Sequence, residues 1–189
     1  MVLLSIFKKT LYFCTKLQTI MLKVTISDDE MRRAASEGMD AFVGVVTKAI
    51  REKIGGEPDA TTLAEMNADQ ATLLAWDTLH GEVMDGGFVQ LIHNGYGPFI
   101  FKNPFAKALN KMWGMRELSK LVYDAHSLYV KYGEELEKDC TDEEFMALFE
   151  QYPDFDDLDD RFVEEEETYM EQVARYIDEH LENFVIIES

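Results

Sequence analysis

From Ser27 onward, apolar residues recur at steps of three to five, and the runs open on helix caps instead of the tight turns that would join strands. In Ser27-Asp28-Asp29-Glu30, a serine oxygen and a glutamate three residues on can each satisfy an exposed first-turn amide. Met31, Ala35, Met39, Phe42, Val45, Val46, Ala49 and Ile54 then share a face. The spacing predicts a helix over 28–53, stopped by Gly55-Gly56 and Pro58. Asn67-Ala68-Asp69-Gln70 opens a second helix through Leu73, Leu74, Trp76, Leu79 and Val83 toward Gly86-Gly87, read as a tight bend where two helices come close. Phe88 to Ile92 has strand propensity but finds no partner strand, so it is read as helix.

Asn94-Gly95-Tyr96-Gly97-Pro98 is the clearest loop, and Asn103-Pro104 starts a helix carrying Phe105, Ala108, Leu109, Met112 and Trp113 before Gly114. A further stripe covers 115–132. Thr141-Asp142-Glu143-Glu144 caps a short helix to about Gln151, and Pro153 ends it. Leu158, Phe162, Tyr169, Met170, Val173, Ile177, Leu181 and Phe184 predict one long last helix over 157–185. The expected fold is all-α: a single-domain bundle of about seven helices, over 23–189, with a long acidic C-terminal helix.

Residues 1–22 read as an extension. Lys8, Lys9 and Lys16 divide their apolar runs, which rules out a membrane span and disagrees with the order of a signal peptide, and Met21 is a natural start. Two cysteines, Cys14 and Cys140, make no disulfide framework, so a cytoplasmic protein is expected.

The formal net charge is −19, from 37 acids and 18 bases, while 47% hydrophobic residues place the chain well above disordered acidic sequences. The charge is segregated. Residues 1–133 carry 15 of each sign, whereas 134–189 carry 22 acids against Lys138, Arg161 and Arg175. Such a surface repels DNA, RNA and anionic membranes unless a basic patch intervenes, and none is read in the sequence. Between Asp156 and Glu182 lie 12 acids, which on a continuous helix gives a carboxylate about every 3.4 Å, the axial spacing of phosphates on one strand of duplex DNA. The run Glu164 to Glu167 sweeps a full turn, so this part of the helix is expected to project from the body, wet on all sides.

No phosphate loop, nucleophile elbow, dinucleotide fingerprint or metal-ligand spacing is present, and His80, His93, His126 and His180 read as ordinary histidines, so no cofactor or metal is expected. An enzyme reading would start from a pocket formed by Gln90, His93 and Asn94 with nearby aromatics.

The element Gly86-Gly87-Phe88-x-Gln90 with Asn94 resembles a bacterial DNA-mimic-protein-like family of small acidic all-helical proteins. The likeness extends to Ala108-Leu109 with Gly114 and to Leu158-Asp159-Asp160-Arg161-Phe162, over roughly 65–185; the family commonly has Asn where this chain has Asp85. The resemblance implies an all-α protein, a dimer, whose acidic surface imitates duplex phosphates and occupies the DNA-binding face of a transcription regulator, with no catalysis. Gly86, Gly87, Phe88, Gln90 and Asn94 would be fold determinants. The partner-binding surface would be Asp156, Asp157, Asp159, Asp160, Glu164, Glu165, Glu166, Glu167 and Glu171. Three readings stand: an acidic module for a basic regulator, a helical domain with a pocket near Gln90, His93 and Asn94, and a structural or toxin-neutralising partner.

Overall fold

A computed structural model describes residues 22–188, so the N-terminal extension expected over 1–22 lies outside it, save Leu22, which is buried in the core. The elements run β1 (Thr25–Ser27), α1 (Asp28–Glu37), α2 (Met39–Ile54), α3 (Ala60–Glu65), α4 (Ala68–His93), α5 (Gly97–Phe101), α6 (Phe105–Lys111), α7 (Arg116–Leu136) and α8 (Asp142–Gln151). A 3₁₀ turn (Pro153–Phe155), α9 (Asp156–Glu164), α10 (Glu166–Glu179), a second 3₁₀ turn (Leu181–Asn183) and β2 (Ile186–Glu188) complete the order. The fold is all-α.

The helix expected over 28–53 is two, divided at Gly38, whose φ of 128° lies outside helical space, and the second ends where left-handed Gly55 caps Arg51 and Glu52. The expected loop after Asn94 is shorter than read, because Gly97–Phe101 already forms a helical turn. Two strands escaped the reading. β1 and β2 are three residues each and pair in parallel, Ile26 beside Ile187, too short for any periodicity to show.

Helix α4 is the axis of the molecule. Its buried residues include Leu73, Leu74, Ala75, Trp76, Thr78 and Leu79 in succession but for the partly exposed Asp77, so it is covered on most sides, by α2, α5, α6, α7 and α9. Trp76, Phe88, Phe155, Phe162 and Phe184 are no more than 1% exposed, and each contributes about 1.5–3 kcal/mol relative to an exposed position.

The start of α4 also ties the chain ends. Asn67 and Gln70 form the predicted reciprocal cap, and the Gln70 amide donates onward to the carbonyls of Leu22 (2.9 Å) and Phe184 (3.0 Å). Asp69 is 7% exposed yet accepts from Trp113 Nε1, the Tyr176 hydroxyl and Asn183 Nδ2, which gives its buried charge the hydrogen bonds it needs. One turn of helix thereby clamps the first and last described segments.

Candidate functional site

At Gly86-Gly87 the helix α4 kinks instead of ending. Gly86 (φ −160°) and Gly87 (φ 71°) leave helical geometry, and Phe88 resumes it. Gly87 sits where most side chains are strained, and a Cβ there would lie 2.4 Å from Asp159 Oδ2; a Cβ on Gly86 would strike Gln90. The amide of Phe88, released by the kink, donates to Asp159 Oδ1 at 2.8 Å, and the Phe88 ring stacks on Phe155. The bend is therefore the seat of α9, in keeping with the close helix approach read from the glycine pair.

Gln90 and Asn94 are engaged around the same bend. Gln90 Nε2 donates to Asp85 (2.8 Å) and Glu82 (3.3 Å), and Asn94 Nδ2 donates to the same Glu82 carboxylate at 2.8 Å. His93 is held elsewhere, its Nδ1 at 2.9 Å from the Leu136 carbonyl and its ring against Phe145. Gln90 and Asn94 thus meet at Glu82 while His93 has other partners, and none of the three lines the two grooves described below. Among the described residues no three His, Cys, Asp or Glu side chains are grouped to hold a metal.

The acidic segment differs from the expected single helix. It breaks at Glu165 (φ −103°, ψ 4°) into α9 and α10, about 14 Å and 21 Å long, so the phosphate-like spacing along one continuous helix does not hold. Four adjacent carboxylates weaken a continuous turn through like-charge repulsion, while a new helix start at Glu166 places Glu166 and Glu167 at a favourable dipole end. Nor does this stretch project from the body. Phe162, Tyr169 and Met170 are buried, and Glu166 turns inward to meet His80 Nε2 at 2.6 Å, with side chains 18% and 25% exposed.

Two of the nine expected partner-binding acids thus have work inside the fold: Asp159 at the kink and Glu166 at His80. Burial pushes the Asp159 carboxyl up to about 6; the charges of Asp156 and Asp160 push the same way, and the Phe88 N–H opposes them. Asp156, Asp157, Asp160, Glu164, Glu165, Glu167 and Glu171 are exposed. Among the described residues the first six make no ion pair, whereas Glu171 stands 4.0 Å from Arg175.

On α9, Asp156, Asp160 and Glu164 recur every fourth residue, one turn and about 6 Å apart. Asp157 and Asp160 also face α7 across an open groove of about 570 Å³ that holds Asp124 and Asp154 over Leu128 and Leu158. Arg161 reaches Asp124 at 3.3 Å, a half-buried pair that neutralises one of the four carboxylates, while the Tyr132 hydroxyl and Lys131 hold Asp154 and lower its carboxyl below the ordinary range. Asp124 lies in the neutral part of the sequence and was not read as part of the acidic surface; only the packing of α7 on α9 brings it there.

A family model described as DMP19-like protein matches residues 64–180, close to the span of the resemblance. The chain is also similar to the DNA mimic protein DMP19 of Neisseria meningitidis serogroup B (strain ATCC BAA-335 / MC58), with 34% identity over 127 residues, 67% of this chain and 76% of the relative. The span matched by the family model contains the α4 kink, Asp159 and both acidic helices. Among the described residues no helix is long and apolar enough to cross a membrane.

Proposed function

The chain belongs to the DMP19-like family, and on that premise we propose that it is an acidic protein-binding module whose carboxylates stand in for duplex phosphates on the basic face of a DNA-binding regulator. The observation that carries this reading is the set of exposed acids that make no ion pair among the described residues, Asp156, Asp157, Asp160 and Glu164 on α9 with Glu165 and Glu167 beyond them; the paired carboxylates of Glu171, Asp124 and Asp154 border it. Asp159 and Glu166 hold this surface in place from within and are left out of the contact face. An unneutralised row of carboxylates attracts a basic surface over about 8 Å at physiological salt and accelerates encounter, with no chemistry required.

The reading places the protein in the cytoplasm, as a homodimer. The exposed free thiol of Cys140 suits a reducing compartment.

Capture from native lysate tests the proposal. The immobilised chain is expected to retain DNA-binding proteins at low salt and release them at high salt, and the variant D156N/D157N/D160N/E164Q to retain at least about tenfold less while keeping its helical spectrum. Capture only of proteins without nucleic-acid-binding activity, as the toxin-neutralising reading requires, contradicts it; so does equal capture by the variant.

A further inference from the structure

A second groove, of about 420 Å³, shares no lining residue with the acidic one and lies between α6 and the junction of α3 with α4. Leu63, Ala68, Ala71, Phe105, Ala108 and Met112 give it apolar walls, with Phe105 only 2% exposed and Met112 42% exposed. Its size falls in the range of about 300–1,000 Å³ typical of small-molecule sites. The uncharged polar side chains that line it are already engaged: the Thr72 hydroxyl donates to the Ala68 carbonyl, and Asn103 donates to the Phe99 carbonyl while accepting from the Phe105 amide. The remaining side-chain donors are the ammonium groups of Lys107 and Lys111.

These two lysines sit one turn apart on α6, both exposed, and neither makes an ion pair among the described residues. In a chain of net charge −19 their surroundings are unusual. From Gly86 to Arg116 there is no Asp or Glu, and Lys102, Lys107, Lys111 and Arg116 are the charged residues. A count over 133 residues averages out this local run of bases, of which Lys107 and Lys111 share the groove. No carboxylate lines the groove. Like charges one turn apart repel each other, and an anion between them relieves that repulsion.

We propose that this groove is a binding site for a small amphiphile with an apolar body and a single carboxylate, the body lying along Ala71, Phe105 and Ala108 and the carboxylate between Lys107 and Lys111. The apolar walls select against compact polar anions, and the absence of acids lets a negative headgroup approach a protein that repels anions elsewhere. The proposal is independent of the acidic surface and of its partner.

Sodium decanoate serves as the probe, followed by calorimetry and by the methyl resonances of Ala71 and Ala108. Acetate supplies the headgroup without the body, and decyltrimethylammonium the body with the opposite charge. The expected result is one decanoate per chain, shifts centred on Ala71 and Ala108, and no saturable binding there of either control. K107Q/K111Q, a change at two exposed positions, is expected to weaken decanoate about five- to tenfold, and A71L to abolish its binding by filling the groove, with unchanged circular dichroism. Absence of one-to-one saturation, or equal affinity in K107Q/K111Q, overturns the proposal. So does sedimentation showing a dimer that A71L dissociates, since a second copy would then cover the groove.

Discussion

At the residue scale, Gly87 and Asp159 meet at the bend of α4. The glycine pair lets α4 bend without a side chain at the point of contact, and Asp159 fills that space while accepting from the Phe88 amide. The bend was legible, because Gly86-Gly87, unlike Gly55-Gly56, is followed by an apolar run without a nearby proline. The inward turn of Asp159 was not, since one acid among Asp156, Asp157 and Asp160 carries no local mark of burial. It has a titration consequence. The carboxyl titrates at about 6 in the fold against an ordinary value of 3.8, so the folded state holds its proton more tightly. The stabilisation this gives is complete below pH 4, is lost as pH rises through 6, and leaves a constant cost of buried charge above that. D159N keeps the oxygen that accepts from Phe88 and loses the charge. Its stability relative to the parent, measured by denaturant unfolding, is expected to improve between pH 4 and 7 by on the order of 1–2 kcal/mol and then level off; a difference independent of pH contradicts the assignment. The comparison cancels the general gain that this acidic chain makes on acidification.

At the element scale, capping chemistry served the reading best. The reciprocal caps at Asn67 and Thr141 are both present, because the bonds that make them lie within the first turn of each helix and need no tertiary partner to form. Breaks inside apolar stripes were less visible. Phe162 and Tyr169 share one face whether or not the helix pauses at Glu165, so periodicity could not report the pause. Helix α8 is well capped yet has no fully buried residue, its ring contacts being Phe145 with His93 and Phe149. Local stability follows burial, so its amides are expected to exchange with solvent well before those of α4 and α7. Thr141→Ala removes the cap and is expected to speed exchange in α8 about fivefold, corresponding to roughly 1 kcal/mol, without affecting α4. Hydrogen exchange read by mass spectrometry checks both, and protection of α8 equal to that of α4 contradicts them.

At the scale of the whole molecule, the charge segregation visible in the sequence becomes two surfaces of different character. One is formed by the exposed acids of α9 and the start of α10; the other is the acid-free stretch around α6 with its lysine-rimmed groove. The first was legible because its charges are contiguous in sequence, although its true extent was not, since Asp124 joins it only through the packing of α7. The second was hidden by averaging. The central claim is that the acidic side occupies the same face of a partner as duplex DNA, and direct competition is its sharpest test. A DNA-binding protein captured by this chain is bound to a fluorescently labelled duplex, and the chain is titrated in while anisotropy is followed. Anisotropy is expected to fall to the value of free duplex, with D156N/D157N/D160N/E164Q needing at least about tenfold more protein. Binding of the chain to the partner–duplex complex without release of the duplex would contradict the claim.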